Sequence, residues 1–206
     1  MHSPGVSLAA LLDPRPAPVP LVVTPAHVGG QVAWSDLRRA GALVELRDGA
    51  AVAATSVVGS RHRALVLAGD VPVRCVLAAS TAAWVHTGVY DGAVAPVWPD
   101  DAPVELAYSP GTHCPAPRPG RVVRRAPGLG RDTVRLAGVP VTGLVRTALD
   151  VARTASMAVA VPALVALAGC GADLRHAGRI LDRRVRVVGR PAAHRALSAA
   201  LEQLAG

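Results

Sequence analysis

The residues able to do chemistry are few. Arg146, Asp150 and Arg153 recur at spacings of four and three, the spacing that lines charges along one helix face as a ladder of ion pairs. Such a ladder is predicted to lie on an exposed face and to be structural. His113 beside Cys114 offers two adjacent metal ligands without the second pair that a metal site requires. Pro99-Asp100 followed by Glu105-Leu106-Ala107 is a superficial echo of nucleases that set a lysine beside two metal-binding carboxylates, and the chain contains no lysine. No G-x-S-x-G nucleophile turn, no paired carboxylates with a base and no metal cluster stand in the sequence. The expectation is a protein that is not an enzyme and uses neither cofactor nor metal.

Composition narrows the classes further. All 22 basic residues are arginines, giving a net charge of +8 over 206 residues. The absence of lysine excludes P-loop and Schiff-base chemistry, which depend on its amine. With 51% apolar residues there is ample material for a core. Cys75, Cys114 and Cys170 are widely separated and odd in number, which fits free thiols in a reducing cytosol better than a disulfide framework or zinc site. No apolar run approaches the roughly 20 residues of a membrane span, and the start lacks the basic and apolar regions of a signal peptide. A cytoplasmic protein without membrane contact is expected.

The elements that would position any site follow from local patterning. Residues 6–12 read as a short helix and 13–20 as an extended Pro-rich linker, so residues 1–20 form a peripheral segment. At Thr24-Pro25 a helix starts and Gly29-Gly30 ends it. A second helix over 32–41 follows, with Arg38 and Arg39 outside, and then a hairpin over 43–53 turning at Asp48-Gly49. Helix, tight turn, helix and hairpin is the order of a winged helix-turn-helix, here 21–58. A small α+β subdomain that only packs has the same order, and the local charge does not help DNA binding: over 1–60, Arg15, Arg38, Arg39 and Arg47 meet four acids.

Residues 59–206 read as an α+β domain. A helix over 60–70 leads to a buried strand and then to a short helix capped by Ser80 and ending at Gly88, with Trp84 as a core anchor. Strands at 94–98, 104–108, 121–126, 133–136 and 139–141 predict a small, mostly antiparallel sheet. The strand 139–141 runs through Thr142-Gly143 into the helix of Arg146 and Asp150. Beyond Arg153, helices are predicted over 157–168, 173–183 and 191–204, packed as a bundle. The fold class is therefore α+β, a winged helix-turn-helix followed by a small sheet and a helical C-terminal part. The charge is uneven. Residues 111–153 carry an excess of six positive charges and 154–206 of four. Arg121, Arg124 and Arg125 on one strand, and Arg175, Arg179 and Arg183 as a stripe on one helix, are candidate contacts to phosphate or to an acidic partner. A solvated face explains such a stripe equally well.

Four stretches, LRRAGALVELRDGAAVA, LAASTAAWVHTG, VELAYSPG with RVVRRA, and GVPVTGLVRTALDVAR, resemble the AbiEi-type antitoxin and transcriptional regulator family of type IV toxin-antitoxin systems, in the form common in high-GC bacteria. The resemblance covers roughly residues 20–170, and GVPVTGLVRTALDVAR is its most specific part. It implies a winged-helix domain that binds double-stranded operator DNA and autoregulates its operon. It also implies a partner, a nucleotidyltransferase-like toxin that the protein neutralises. Many relatives continue into an endonuclease-like domain, which this chain is expected to lack. On this sequence the groove-facing positions fall on Trp34, Ser35, Arg38 and Arg39, and the wing position on Arg47. Family wings resemble a basic run followed by Gly, a small residue and Tyr. Here Glu45 and Asp48 bring negative charge and Ala51 holds the aromatic position. The alternative is a protein-interaction module that keeps the fold and has lost DNA binding.

Overall fold

The computed structural model describes residues 20–183 and 188–206. The expected helix over 6–12 and nearly all of the Pro-rich linker lie outside the described residues. The protein is α+β, with seven α-helices and nine short strands among the described residues.

The N-terminal unit is built around one tryptophan. A single 3-10 turn, Pro25–Val28, is held at its start by Thr24, whose backbone N–H donates to His27 Nδ1 at 3.1 Å. Gly29 and Gly30 follow with φ of 89° and 107°. Two successive left-handed residues reverse the chain within two positions, which side chains with a Cβ adopt only at a cost. Helix α1, Gln31–Arg39, then runs to the hairpin of β1 (Leu43–Arg47) and β2 (Ala50–Ala53). Val23 adds a third short strand by bridging Ala51 through two backbone hydrogen bonds of 2.7 and 2.9 Å. Trp34 seals the space between Val23, Val28, Leu43 and Ala51.

The hairpin's other face belongs to the core of the remaining chain. Leu46, Ala50 and Val52 pack with Leu67, Trp84, Trp98 and Leu106, and Trp98 N–H donates to the Leu46 carbonyl at 2.8 Å. The predicted boundary near residue 58 is thus crossed by one continuous core. Helix α2, Ser60–Val66, leads to a 3-10 turn at Ala68–Asp70 and to β3 (Cys75–Leu77).

Five strands form the main sheet: β3, β6 (Val104–Tyr108), β7 (Arg121–Arg125), β8 (Thr133–Leu136) and β9 (Val139–Thr142), in the order β7-β6-β3-β9-β8. The expectation of a mostly antiparallel sheet is corrected. β6 with β7 and β3 with β9 are parallel, whereas β3 with β6 and β8 with β9 are antiparallel. The Gly- and Pro-rich segment 109–120 is long enough to carry the chain back past the whole of β6 before β7 begins. A separate two-residue pair, β4 (Val89–Tyr90) with β5 (Ala93–Val94), turns at Asp91 and Gly92, both at positive φ. The strand expected at 94–98 is cut to its first residue because Trp98 turns into the core, edge-on to Trp84 and Tyr90 at 5.0 and 4.9 Å.

Helix α3, Ala79–Thr87, is buried on almost every side, with Thr81, Ala82, Ala83, Trp84 and Val85 among its closed residues. Its N-cap is Ala78, not Ser80. Ser80 lies inside the first turn, and its N–H is satisfied by Glu105 Oε2 at 2.8 Å, a carboxylate from β6 taking the place of a local cap. At the other end Arg63 donates to the carbonyls of Val85 and His86, a cation closing the last turn. His86 is packed, its Nε2 2.8 Å from the Thr142 carbonyl oxygen. Burial lowers its pKa, against the pull of that hydrogen bond and helped by the nearby Arg63 guanidinium.

Helices α4 (Leu144–Thr154), α5 (Met157–Gly169), α6 (Leu174–Arg183) and α7 (Arg190–Ala205) form the expected bundle. Its interior is largely Ala and Leu, including Ala148, Leu149, Ala160, Leu164, Leu167, Leu181 and Ala196, and small side chains allow close helix approach. Asp173 caps α6 through the His176 N–H at 2.7 Å. The charge ladder on α4 is not exposed. Arg146 is only 4% accessible because the loop between β7 and β8 folds over it. Its Nη1 donates to the Pro127 carbonyl at 3.0 Å and to Asp132 Oδ2 at 2.9 Å, and its Nε donates to Asp150 Oδ2 at 2.9 Å. Burial works to lower the pKa of this guanidinium, but Asp150 and Asp132 outweigh it and the net shift is upward.

Candidate nucleic-acid interface

On α1 the sequence singles out Trp34, Ser35, Arg38 and Arg39. Trp34 is 1% exposed and is corrected from a groove-facing residue to the anchor of the unit, because it points down the only side of α1 that meets the hairpin. Ser35 is half-buried, and its hydroxyl donates to the Gln31 carbonyl at 2.9 Å, one turn back. Arg38 and Arg39 are exposed and both are paired, Arg38 with Glu45 of β1 at 2.8 Å and Arg39 with Asp36 at 2.7 Å.

The sequence pattern sets Val32 or Ala33 with Leu37 and Ala40 on the inner side of this helix, and for Val32 the structure corrects it. Gln31 and Val32 are exposed immediately after the Gly29-Gly30 turn, Val32 at 79%. On the 3.6-residue period Val32, Asp36 and Arg39 share the side opposite Trp34. The inner side is filled by Trp34, which packs with Val23, Val28, Leu43 and Ala51, and leaves Val32 outside.

Arg47 is also corrected. It does not project from the hairpin as a wing contact. It points into the molecule, forms an ion pair with Asp70, and donates to the Val66 carbonyl at 3.3 Å. Asp70 is shared with Arg121 of β7, whose Nη2 lies 3.2 Å from Asp70 Oδ1 and 3.3 Å from the Gly69 carbonyl. Arg121, with its side chain 11% exposed, is thereby withdrawn from phosphate contact. A bulge between Glu45 and Arg47 turns the Arg47 side chain toward this acid. Glu45 is likewise spent within the hairpin, its Oε1 accepting the Gly49 N–H at 3.1 Å, and Ala51, at the family's aromatic position, is fully buried. What the hairpin leaves at its tip is the Asp48-Gly49 turn.

The remaining candidates lie elsewhere. Arg175, Arg179 and Arg183 are exposed on one side of α6, as their spacing predicts. Arg179 faces Asp173 at 3.6 Å. Arg124 and Arg125 are exposed at the end of β7, Arg124 paired with Glu105 at 3.1 Å. Glu105 and Asp70 are acids that the sequence does not connect to these arginines, since they stand 19 or more residues away along the chain and are joined only by strand register and by the turn after α2. Among the described residues there is no group of three metal-ligating side chains, and no single helix is long and apolar enough to cross a membrane.

The geometry defines an α+β protein whose short N-terminal helix-and-hairpin unit is fused by a shared core to a mixed sheet and a helical bundle. No protein-family model and no curated protein matches the chain. Among solved structures it is similar to the RV2827C protein from Mycobacterium tuberculosis, at 20% identity and a TM-score of 0.44 over 88% of this chain and 72% of that one.

Proposed function

We propose that the N-terminal unit is a winged helix-turn-helix, with α1 as recognition helix and β1–β2 as a reduced wing. In this reading the chain is a DNA-binding regulator of the type IV antitoxin kind, autoregulating its operon and neutralising a nucleotidyltransferase-like toxin. One observation carries it: Pro25–Val28, the Gly29-Gly30 reversal and α1 stand in helix-turn-helix order, and a hairpin closed by the Val23 bridge holds α1 by Trp34 and the neighbouring Arg38–Glu45 pair. That leaves the opposite side of α1 free. A helix of nine residues fits a major groove about 12 Å wide, where the first-turn residues reach base edges. Gln31 and Val32 then meet bases, and Arg38 and Arg39 meet phosphates. Their present ion pairs are no obstacle, since exposed pairs are worth only about 0–1 kcal/mol and exchange readily for phosphate.

The wing supplies little. With Arg47 turned inward and Asp48 at the tip, phosphate attraction depends on the two α1 arginines, and affinity will be modest and strongly dependent on salt. The test is fluorescence anisotropy with duplex DNA from upstream of the gene, at about 50 and 200 mM salt. Expected is binding that weakens as salt rises, with Arg39→Ala reducing the salt slope by about 1. No binding at micromolar protein in the lower salt overturns the proposal, because non-specific attraction alone appears there.

A second reading has its own observation. All three arginines described in the N-terminal unit are paired with carboxylates, while α6 carries an exposed basic stripe. That distribution suits a protein-interaction module docking an acidic partner by Arg175, Arg179 and Arg183. Co-purification with the neighbouring gene's product, abolished by reversing the charge of these three residues, supports it. An intact complex reduces the stripe to a solvated face.

A further inference from the structure

A cavity of about 560 Å³ opens between α4, the β6–β7 pair and the β3–α3 junction, on the opposite side of β6 from Leu106 and the main core. The size suits a metabolite-sized ligand. Its charged lining residues are Glu105, Arg124, Arg125, Arg146, Asp150 and Arg153. None of the DNA-reading residues proposed above belongs to it.

The four arginines are not equivalent. Arg146 is immobilised by the carboxylates of Asp132 and Asp150 and by the Pro127 carbonyl, so it forms a fixed wall. Arg153 leans on the same Asp150 at 3.8 Å and donates to the Val188 carbonyl at 3.1 Å, which leaves its fork incompletely used. Arg124 has one ion-pair partner among the described residues, Glu105, and that carboxylate is already engaged with the Ser80 N–H. Arg125 pairs in register with Tyr108, so its side chain stands on the other face of the sheet from Arg124. Arg124 from one wall and Arg153 from another therefore present guanidinium donors that their carboxylate partners leave partly unused. Guanidiniums approaching from different directions suit the several oxygens of a phosphate better than a planar carboxylate. Between them lie Ala107, Ala126 and Pro127, an apolar surface for the rest of a ligand.

We propose that this cavity binds a small phosphate ester, with the phosphate held by Arg124 and Arg153 and the organic part against Ala107, Ala126 and Pro127. Three walls enclose the site, so the ligand is a free ester and not the backbone of a duplex.

The test is isothermal titration calorimetry of the full chain, without DNA, against AMP, ribose 5-phosphate, inorganic phosphate and adenosine. Expected is 1:1 binding of at least one of the two esters, weakened by salt, with adenosine at least about tenfold weaker. Arg124→Glu, at an exposed position, should weaken ester binding about tenfold or more while the circular dichroism spectrum is unchanged. Arg179→Glu, outside the cavity, should leave it unaltered. The proposal is overturned if neither ester binds at millimolar concentration, if adenosine binds as well as AMP, if only inorganic phosphate binds, or if Arg124→Glu binds like the unaltered protein. Because no DNA is present, failure here leaves the DNA-binding reading standing, and failure there leaves this one.

Discussion

Replacing Arg146 by methionine tests whether a buried ion network fixes α4 to the β7–β8 loop. The perturbation keeps the length of the stem and removes the guanidinium, leaving Asp150, Asp132 and the Pro127 carbonyl to lose a donor each. Breaking a buried pair from one side costs about 3–5 kcal/mol because a carboxylate is left desolvated and unpaired. Asp150 is 13% exposed, keeps only the longer Arg153 contact and suffers most of this, whereas Asp132 is 32% exposed and recovers part of its hydration. The lower end, about 3 kcal/mol, is therefore expected. For a chain of this length that is a fall in Tm of about 6–12 °C. The three tryptophans are all buried, so their fluorescence reports urea unfolding, and the loss should appear as a lower midpoint at unchanged slope. Arg146→Lys should recover little, since one ammonium cannot reproduce a fork aimed at three acceptors. In a double-mutant cycle, Asp150→Leu added to Arg146→Met should cost less than the two separate changes together, by about 1–3 kcal/mol. A loss below about 1 kcal/mol for Arg146→Met, or additivity within about 0.5 kcal/mol, would refute the reasoning.

Three further outcomes follow from packing and protonation. His86 is held below its ordinary value of 6.5, so the unfolded chain takes up a proton that the folded one refuses. Stability is then full above about pH 6.5 and is lost as the pH falls through that value toward the folded pKa. Tm should drop between about pH 7 and pH 5, and His86→Gln, whose amide can still donate to the Thr142 carbonyl, should flatten that part of the profile. Gly189→Ala sets a Cβ 2.7 Å from the Arg153 carbonyl oxygen at φ of 79° and should cost upward of about 2 kcal/mol in urea unfolding. Gly111→Ala, at a φ of 86° with nothing within 4 Å, should cost only about 1 kcal/mol for its backbone conformation. Trp34→Ala should cost about 3–5 kcal/mol and release α1 from the hairpin, seen as early proteolytic cleavage after residue 30 and as lost DNA binding in the anisotropy assay. A Trp34→Ala protein that kept its stability would put the anchor of this unit elsewhere.

The sequence by itself determined the elements whose cause is local. The Gly29-Gly30 break, the hairpin turn at Asp48-Gly49, the strand at Val104–Tyr108, the helix of Leu144–Thr154 and the Arg175, Arg179, Arg183 stripe all rest on turn chemistry or on periods of 2 and 3.6 residues, and each stands where the pattern puts it. The α+β class follows from their sum. Only the tertiary structure decided which polar residues face solvent. Arg146 and Asp150 read as a surface pair because spacing records their shared face and says nothing about the loop that covers it. Arg47 read as a wing contact because its acid, Asp70, lies 23 residues along the chain. Trp34 read as a base-facing side chain because the family resemblance puts a groove-facing residue at that position, and only the contact with Val23 and Ala51 shows it turned inward. The sheet's direction was hidden for the same reason: a returning segment such as 109–120 leaves no periodic trace. Ion pairs, burial and strand order depend on contacts between residues distant in sequence, and these decided both the interface and the arginine-lined cavity.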